Sequence, residues 1–355
     1  MPYTILVINP GSTSTKIGVF EDQKELFTEG ISHSAEELAP FPNVASQYDF
    51  RRERILSLLK ARNFDLKKVS AIVGRGGLLR PIPGGVYAVT EAMKADLLSA
   101  KYGEHASNLG GLIASSMAAE LGIPAYIADP VVVDELSDLA RVVGHKLFTH
   151  VSIFHALNQK AVARRWCHEN GKKYEDVNLI VAHMGGGVSV GLHEKGRVVD
   201  VNNALNGDGP FSPERSGTLP ALQLAKLCFS GKYSEAEVAK MITGKGGLVS
   251  LMGSNDMRVT EKAAKEGNRE AALYYQAFIY QVGKAIGGMA AAAKGKVDAI
   301  LLTGGIAYGK DVVQGITEMC GFMAPVIAYP GEGELEALAL AGMRALSGEA
   351  KVQNY

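Results

Sequence analysis

Two glycine turns, half a chain apart and each set between apolar strands, constrain this fold most. The first lies at residues 5–20. There Ile5-Leu6-Val7-Ile8 ends in Asn9-Pro10-Gly11, and Ser12, Thr13, Ser14, Thr15 and Lys16 precede a second apolar run. The other lies at residues 179–192, where Leu179-Ile180-Val181-Ala182 enters His183-Met184-Gly185-Gly186-Gly187 before Val188-Ser189-Val190. Each reads as strand, tight turn, strand, and each opens a block of alternating strands and helices. Repetition of such a block implies duplicated α/β domains facing one another across a cleft; chance is the alternative, since hairpins with glycine are common. Glycine and hydroxyl residues let a backbone approach phosphate closely, and a lysine adds a point charge. The first turn is therefore a candidate phosphate cradle carrying Asn9, Ser12, Ser14 and Lys16. A surface turn rich in Ser and Thr is the other reading.

Strand patterns fall at 4–9, 15–21, 69–74, 125–129, 178–183, 188–193, 197–201, 297–303 and 325–329. Helical patterns fill 51–61, 91–100, 109–121, 152–169, 219–228, 269–293, 310–318 and 335–346. A third glycine turn, Thr303-Gly304-Gly305-Ile306-Ala307, follows a buried strand and precedes a helix near Lys310. Free N–H groups at such a turn favour anions, although the glycines would equally serve close helix–strand packing. No Gly-x-x-x-x-Gly-Lys-Ser/Thr occurs, and no Gly-x-Gly-x-x-Gly follows a strand, which disfavours P-loop and Rossmann sites.

The 355 residues fit two domains better than one. Lys+Arg and Asp+Glu both number 37, so no global field draws nucleic acid or an anionic membrane, and any anion must be held locally. Three scattered cysteines, Cys167, Cys228 and Cys320, read as buried thiols in a reducing compartment. The first apolar run has no basic segment ahead of it, so no signal peptide is expected. The Ala/Gly-rich stretch 285–293 is too short to span a bilayer. The expected location is the cytoplasm.

In order along the chain, these motifs resemble the acetate and sugar kinase, Hsp70 and actin superfamily. Within it they are most similar to the carboxylate kinases of the acetokinase family, in particular the butyrate type. The resemblance rests on residues 7–16, Gly74-Arg75-Gly76-Gly77, His105-Ala106-Ser107-Asn108, Ala128-Asp129-Pro130, Ile153-Phe154-His155, residues 182–189, and Ser212-Pro213-Glu214-Arg215-Ser216-Gly217. It continues through Asp256-Met257-Arg258, residues 302–308 and Tyr329-Pro330-Gly331-Glu332-Gly333-Glu334. Each motif alone is weak; the ordered series is specific. Gly76 and Gly77 stand where acetate kinases carry bulkier residues, and Gly186 stands where they carry Asn.

The resemblance implies two ribonuclease H-like domains. The first would hold residues 1–133 plus 336–355, and the second, nucleotide-binding, residues 134–335. It also implies a homodimer or higher homo-oligomer. The implied reaction moves the γ-phosphoryl of ATP, with Mg²⁺, to a short-chain carboxylate, giving an acyl phosphate and ADP. A carboxylic acid with a pKa near ~4.3 is already anionic and needs no general base. The difficulty is bringing an anion to a polyanion, which positioning and nearby cations address. Arg75 and Arg215 suit that task, since a guanidinium holds a carboxylate or phosphoryl group by two parallel bonds. A surface arginine is the alternative for each, and Arg80 is near enough to share the role of Arg75.

His155 would donate an N–H to the phosphoryl in flight; by its apolar neighbours alone it reads as a core histidine. His183 ends a strand at the glycine turn and is treated alike. Asp129 would orient Arg75 or a metal-bound water, or simply cap a turn. The resemblance places Asn9 and Glu334 on the metal side, with Glu332 and Glu336 as competitors; all three glutamates also suit a helix start. Ser12, Ser14, Lys16, His183, Gly185, Gly186 and Gly187 would hold phosphates. Asp256, Met257, Arg258, Gly304, Gly305, Ile306 and Ala307 would line the nucleotide. Phe154 would wall the acyl chain, with Gly77 leaving space and His105 nearby, for an acid of about four or five carbons including branched ones. A sugar kinase would want an Asp base and a polar pocket. An ATP-driven switch or a transcription regulator would want further domains.

Overall fold

A computed structural model describes residues 2–355. In chain order the strands are β1 (Thr4–Pro10), β2 (Ser14–Glu21), β3 (Lys24–Ser32), β4 (Ala71–Arg75), β5 (Val86–Ala88) and β6 (Ala125–Ala128). They continue with β7 (Asn178–Met184), β8 (Val188–Glu194), β9 (Arg197–Val201), β10 (Ala299–Gly304), β11 (Val326–Pro330) and β12 (Val352–Gln353). The chain forms two compact units. One runs through Val133 and resumes at Gly333–Tyr355; the other is Asp134–Glu332.

The first unit's sheet has the order β12-β5-β6-β4-β1-β2-β3, and the second unit's β11-β10-β7-β8-β9. Both contain one five-strand pattern. An antiparallel meander (β1-β2-β3, β7-β8-β9) continues from its first strand into two parallel neighbours (β4 and β6, β10 and β11). The duplication expected from the two turns is present strand for strand: the protein is α/β, with two ribonuclease H-like sheets.

Burial follows the pattern of a covered sheet. Every residue of β1, and all of β10, is buried, as central strands must be when helices cover both faces. Alternation along the strand splits these side chains between the faces. Leu6, Ile8 and Ile72 join Leu109 and Ile113 of the helix Asn108–Leu121 in one core, while Ile5 and Val73 meet Gly342 of the helix Glu334–Ser347. In the second unit the helix Arg269–Ala292 shares a core with β7, β8 and β10, and the helix Ala156–Glu169 packs beneath β7 and β10.

The structure departs from the sequence reading in identifiable places. β3, β5 and β12 were not expected. β3 is a sheet edge with half-wet faces, and Lys24, Glu25 and Glu29 hide its strand pattern. The helix expected from 152 begins at Ala156, with His155 at its N-cap. The returning segment joins the first unit from Gly333 rather than 336, because its helix starts at Glu334. Cys167 and Cys320 are buried thiols, but Cys228 is exposed at the end of the helix Ala221–Cys228. Among the described residues no helix is long and apolar enough to cross a membrane.

One close approach fixes where β4 ends. A Cβ on Gly110 would lie 2.9 Å from Arg75 N, and one on Gly74 would lie 2.8 Å from Gly111 N. Gly110→Ala should therefore lower stability by about 1–3 kcal/mol, as overpacking does. Urea denaturation measures it, and an unchanged midpoint would show that the helix can retreat freely.

Candidate active site

Parallel pairing sets the polar residues of the first unit side by side. Ile8 pairs with Gly74, and Arg75 with Ala128, so Asn9, Arg75 and Asp129 stand at adjacent carboxyl ends of β1, β4 and β6. Ligands of open α/β sheets bind at such ends. Glu334, the first residue of the returning helix, closes the group. Arg75 Nη2 approaches Glu334 Oε1 at 3.1 Å and Nη1 donates to Oε2 at 3.2 Å, a two-pronged grip on a carboxylate. Asn9 Nδ2 donates to Glu334 Oε2 at 2.7 Å, and Asn9 Oδ1 accepts from Arg75 Nη1 at 3.2 Å. Of the competing glutamates, it is Glu334 that joins Asn9 and Arg75. Asp129 is buried, holds a left-handed φ of 38°, and accepts the Gly85 N–H at 2.7 Å. With its own N–H donating to Gly85 O at 3.0 Å, Asp129 ties the end of β6 to the loop at Gly85, in a conformation that costs backbone energy.

The first glycine turn is held from below by a residue the sequence reading missed. Arg51 is fully buried. Its Nη1 donates to Gly11 O at 2.8 Å, Ser14 O at 3.1 Å and Thr15 Oγ1 at 3.1 Å, and its Nη2 to Ser12 O at 3.0 Å. Its Nε donates to Gln47 Oε1 at 3.0 Å. Among the described residues no carboxylate pairs with it. Ser12 and Lys16 stay exposed above this clamp, Ser14 is half-buried, and Lys16 sits opposite Asn9 in the hairpin register. A sequence signal existed: Arg51 shares its helical stripe with buried Ile55 and Leu59, at spacings of four and eight.

The second unit repeats the plan. His183 pairs with Thr303, which brings the turn Gly185-Gly186-Gly187 beside Gly304-Gly305 at the ends of β7 and β10. Gly304 has φ 88° and its Cα faces the Met184 backbone, where a Cβ would lie 2.8 Å from Met184 N. The guanidinium of Arg215 fills the space over Gly187, its Cζ 2.6 Å from where a Cβ would be. Arg215 Nη1 donates to Ala204 O at 2.5 Å. Burial lowers its pKa from the usual guanidinium value, against the opposing pull of Glu214. Ser212 Oγ donates to Gly186 O at 2.7 Å and accepts Arg215 N–H at 3.1 Å, tying loop to arginine. His155 and His183 stack face to face, ring centroids 3.8 Å apart.

Other expected residues fall elsewhere. Gly77 opens no space: a Cβ there would lie 2.6 Å from Asn108 Cα, so the glycine admits the start of a helix. His105 Nδ1 accepts Ser107 N–H at 3.2 Å, and desolvation with the charges of Arg75 and Arg51 lowers its pKa. Its carbonyl accepts the Asn108 N–H, and Asn108 Oδ1 accepts Leu78 N–H at 2.8 Å. Arg80 stacks on Tyr355 at 4.3 Å rather than joining Arg75. Met257 and Ala307 are core side chains of the second unit, and Phe154 is buried. Asp256 caps the helix Met257–Lys265 and grips exposed Arg258, while Asn255 Nδ2 donates to Glu214 Oε1 at 2.7 Å and anchors that segment beside Arg215. Gly305 is exposed at the turn, and Ile306 is half-buried against the second unit's core.

Two ribonuclease H-like sheets, each ending in a glycine turn backed by a guanidinium, define a protein of the acetate and sugar kinase class. The solved acetate kinase of Porphyromonas gingivalis shares this fold with a TM-score of 0.80 at 21 % identity, over 97 % of this chain and 100 % of that one. Butyrate kinase 2 of Clostridium acetobutylicum is 54 % identical over 100 % of both chains, and a probable butyrate kinase of Clostridium botulinum 55 % identical over the same span. The acetokinase family profile matches residues 143–323. The chain belongs to the acetokinase family.

Arg51→Met should strand several buried acceptors at once and cost more than ~2 kcal/mol, since each such group costs about 1–3 kcal/mol. Arg51→Lys keeps the charge but not the fork and should recover only part of it. Thermal and urea unfolding read the loss; wild-type stability in Arg51→Met would refute the clamp.

Proposed function

We propose that this protein phosphorylates butyrate, and neighbouring short-chain acids, with ATP, giving the acyl phosphate and ADP in a reversible reaction. The observation that carries this reading is full-length identity of 54 % to butyrate kinase 2. In this reading the unit Asp134–Glu332 binds the nucleotide. Backbone N–H groups of Gly186, Gly187, Gly305 and Ile306 receive its phosphates, while Gly185 and Gly304 shape the two turns, their own N–H groups donating to Gly187 O and Gly331 O, and the Asp256–Arg258 segment borders the nucleoside. Arg215 and His155 stabilise charge on the transferred phosphoryl. Ser12, Ser14 and Lys16 serve phosphate on the other unit, above the charge of Arg51. Arg75 receives the acid's carboxylate; its two-pronged hold on Glu334 supports that role. Asp129 keeps the end of β6 in place beside it.

A divalent ion, Mg²⁺, accompanies the nucleotide. Asn9 Oδ1 and the Glu334 carboxylate offer it hard oxygen donors, and two protein oxygens suit an ion that keeps several waters. When bound, such an ion neutralises charge on the phosphates. His105, on the same unit as Arg75, borders the acyl end. Exposed Leu139, Val142, Leu147 and Phe148 of the second unit support a homo-oligomer, and the cytoplasm is the expected compartment.

Incubation with ATP, Mg²⁺ and a C2–C6 acid panel, followed by hydroxylamine trapping, should give most hydroxamate with C4 and C5 acids, spread over neighbours because one methylene discriminates by only ~1–3 kcal/mol. No hydroxamate from any acid would sink the proposal. Arg215→Ala should lower kcat roughly 10²-fold or more, the scale for losing one transition-state donor. A folded Arg215→Ala enzyme with near-normal turnover would remove that residue from the mechanism.

A further inference from the structure

The second unit holds a buried polar chain with no place yet in the reaction. Gln159, Ser189 and His193 are fully buried and Tyr174 nearly so. Their partners assign each proton. Gln159 Nε2 lies 3.0 Å from Ser189 O, a carbonyl that can only accept, so the amide nitrogen faces Ser189 and its oxygen faces His193. That oxygen can only accept, so His193 Nε2 donates to it at 2.9 Å. Burial, with the charges of Lys160 and Arg164, holds His193 well below the usual imidazole range. The neutral ring therefore accepts the Tyr174 hydroxyl at Nδ1, 2.6 Å away.

The direction carries on toward the glycine turn. Ser189 Oγ receives the Gln159 Nε2–H at 2.8 Å. The His155 backbone nitrogen, 3.5 Å away, is also a donor, which leaves His155 Nδ1, at 2.8 Å, to take the hydroxyl proton. All four bonds run one way, and each polarises the next. Reversing the last would strand a proton on a fully buried hydroxyl. Neutral His155 then carries its own proton on Nε2. Its stacked neighbour is set oppositely. Asn158 Nδ2 donates to Glu332 O at 2.5 Å, so Asn158 Oδ1 accepts from His183 Nδ1 at 2.7 Å.

We propose that the relay Tyr174–His193–Gln159–Ser189 fixes His155 as an Nε2–H donor, so that the ring presents a proton rather than a lone pair to the phosphoryl group, with Ser189 and Gln159 as positioning residues. The proposal rests on the phosphotransfer reading for its purpose, but its test reads the ring itself. Histidine is labelled with ¹⁵N in the full chain, and long-range ¹H–¹⁵N spectra are recorded near neutral pH, with His155→Gln and His183→Gln assigning the signals. The expected spectrum shows His155 and His193 protonated on Nε2 and His183 on Nδ1. Ser189→Ala should mix the His155 tautomers and lower kcat about tenfold or more, with KM for ATP within about twofold. Ser189→Thr, which keeps the hydroxyl, should restore both. An Nδ1–H tautomer at His155 in the unaltered chain overturns the proposal, as does a Ser189→Ala protein with the native tautomer and turnover. Should Ser189→Ala fail to fold, the wild-type spectrum alone decides. An Nε2–H ring in a protein that makes no acyl phosphate would instead fail the phosphotransfer reading and leave the assignment standing.

Discussion

Parallel pairing of β4 with β1 and β6, and of β10 with β7 and β11, forces these strands to end along one edge in each unit. Everything polar in the two sites hangs on that register. A slip of one residue in β4 would turn Arg75 to the opposite face and bury its charge among apolar side chains. The register is held by side chains on both faces, by Leu6, Ile8 and Ile72 on one and Ile5 and Val73 on the other. The backbone approach at Gly74 and Gly110 adds a steric stop. Core packing and site geometry are thus one constraint seen at two ends of the same strands.

The sequence carried the fold because the fold is written in continuous apolar runs. Ile5–Ile8, Leu179–Ala182 and Ile300–Leu302 are strands whichever way they are read, and two copies of one turn announced the duplication. Elements with weaker burial were lost. β3 mixes charges into a sheet edge, and β12 is a two-residue strand paired only with β5. Glycine was ambiguous in the same way at two places. Gly187 does clear room for a functional group, the guanidinium of Arg215, whereas Gly77 clears room only for Asn108 and Leu97. No pattern within either motif separates these cases, because the atom that fills the space comes from far along the chain.

Long-range partnership also hid the polar network. Gln159, Ser189, His193 and Tyr174 come from one helix, two positions of β8 and the segment before β7. Taken singly each is an ordinary polar residue among apolar neighbours. Met257 and Ala307 show the same limit from the other side: they stand in motifs expected at the nucleotide, and their side chains face the core. A motif locates a loop; which way each side chain turns is settled by packing that the motif does not contain.

The three arginines show how that packing sets chemistry. Arg75 is paired with Glu334, so its charge is already matched by a carboxylate. Arg51 and Arg215 have neutral acceptors instead: the carbonyls of Gly11, Ser12 and Ser14 for one, and of Ala204 for the other. Carbonyl dipoles satisfy a guanidinium's donors without cancelling its charge. Burying such a cation costs desolvation energy, which those oriented dipoles offset. The charge that survives lies directly behind a glycine turn in each unit. An anion arriving at either turn therefore meets positive potential without first breaking an ion pair, unlike one arriving at the arginine of an exposed pair such as Arg62–Glu29 or Arg165–Glu169, whose charge is already neutralised.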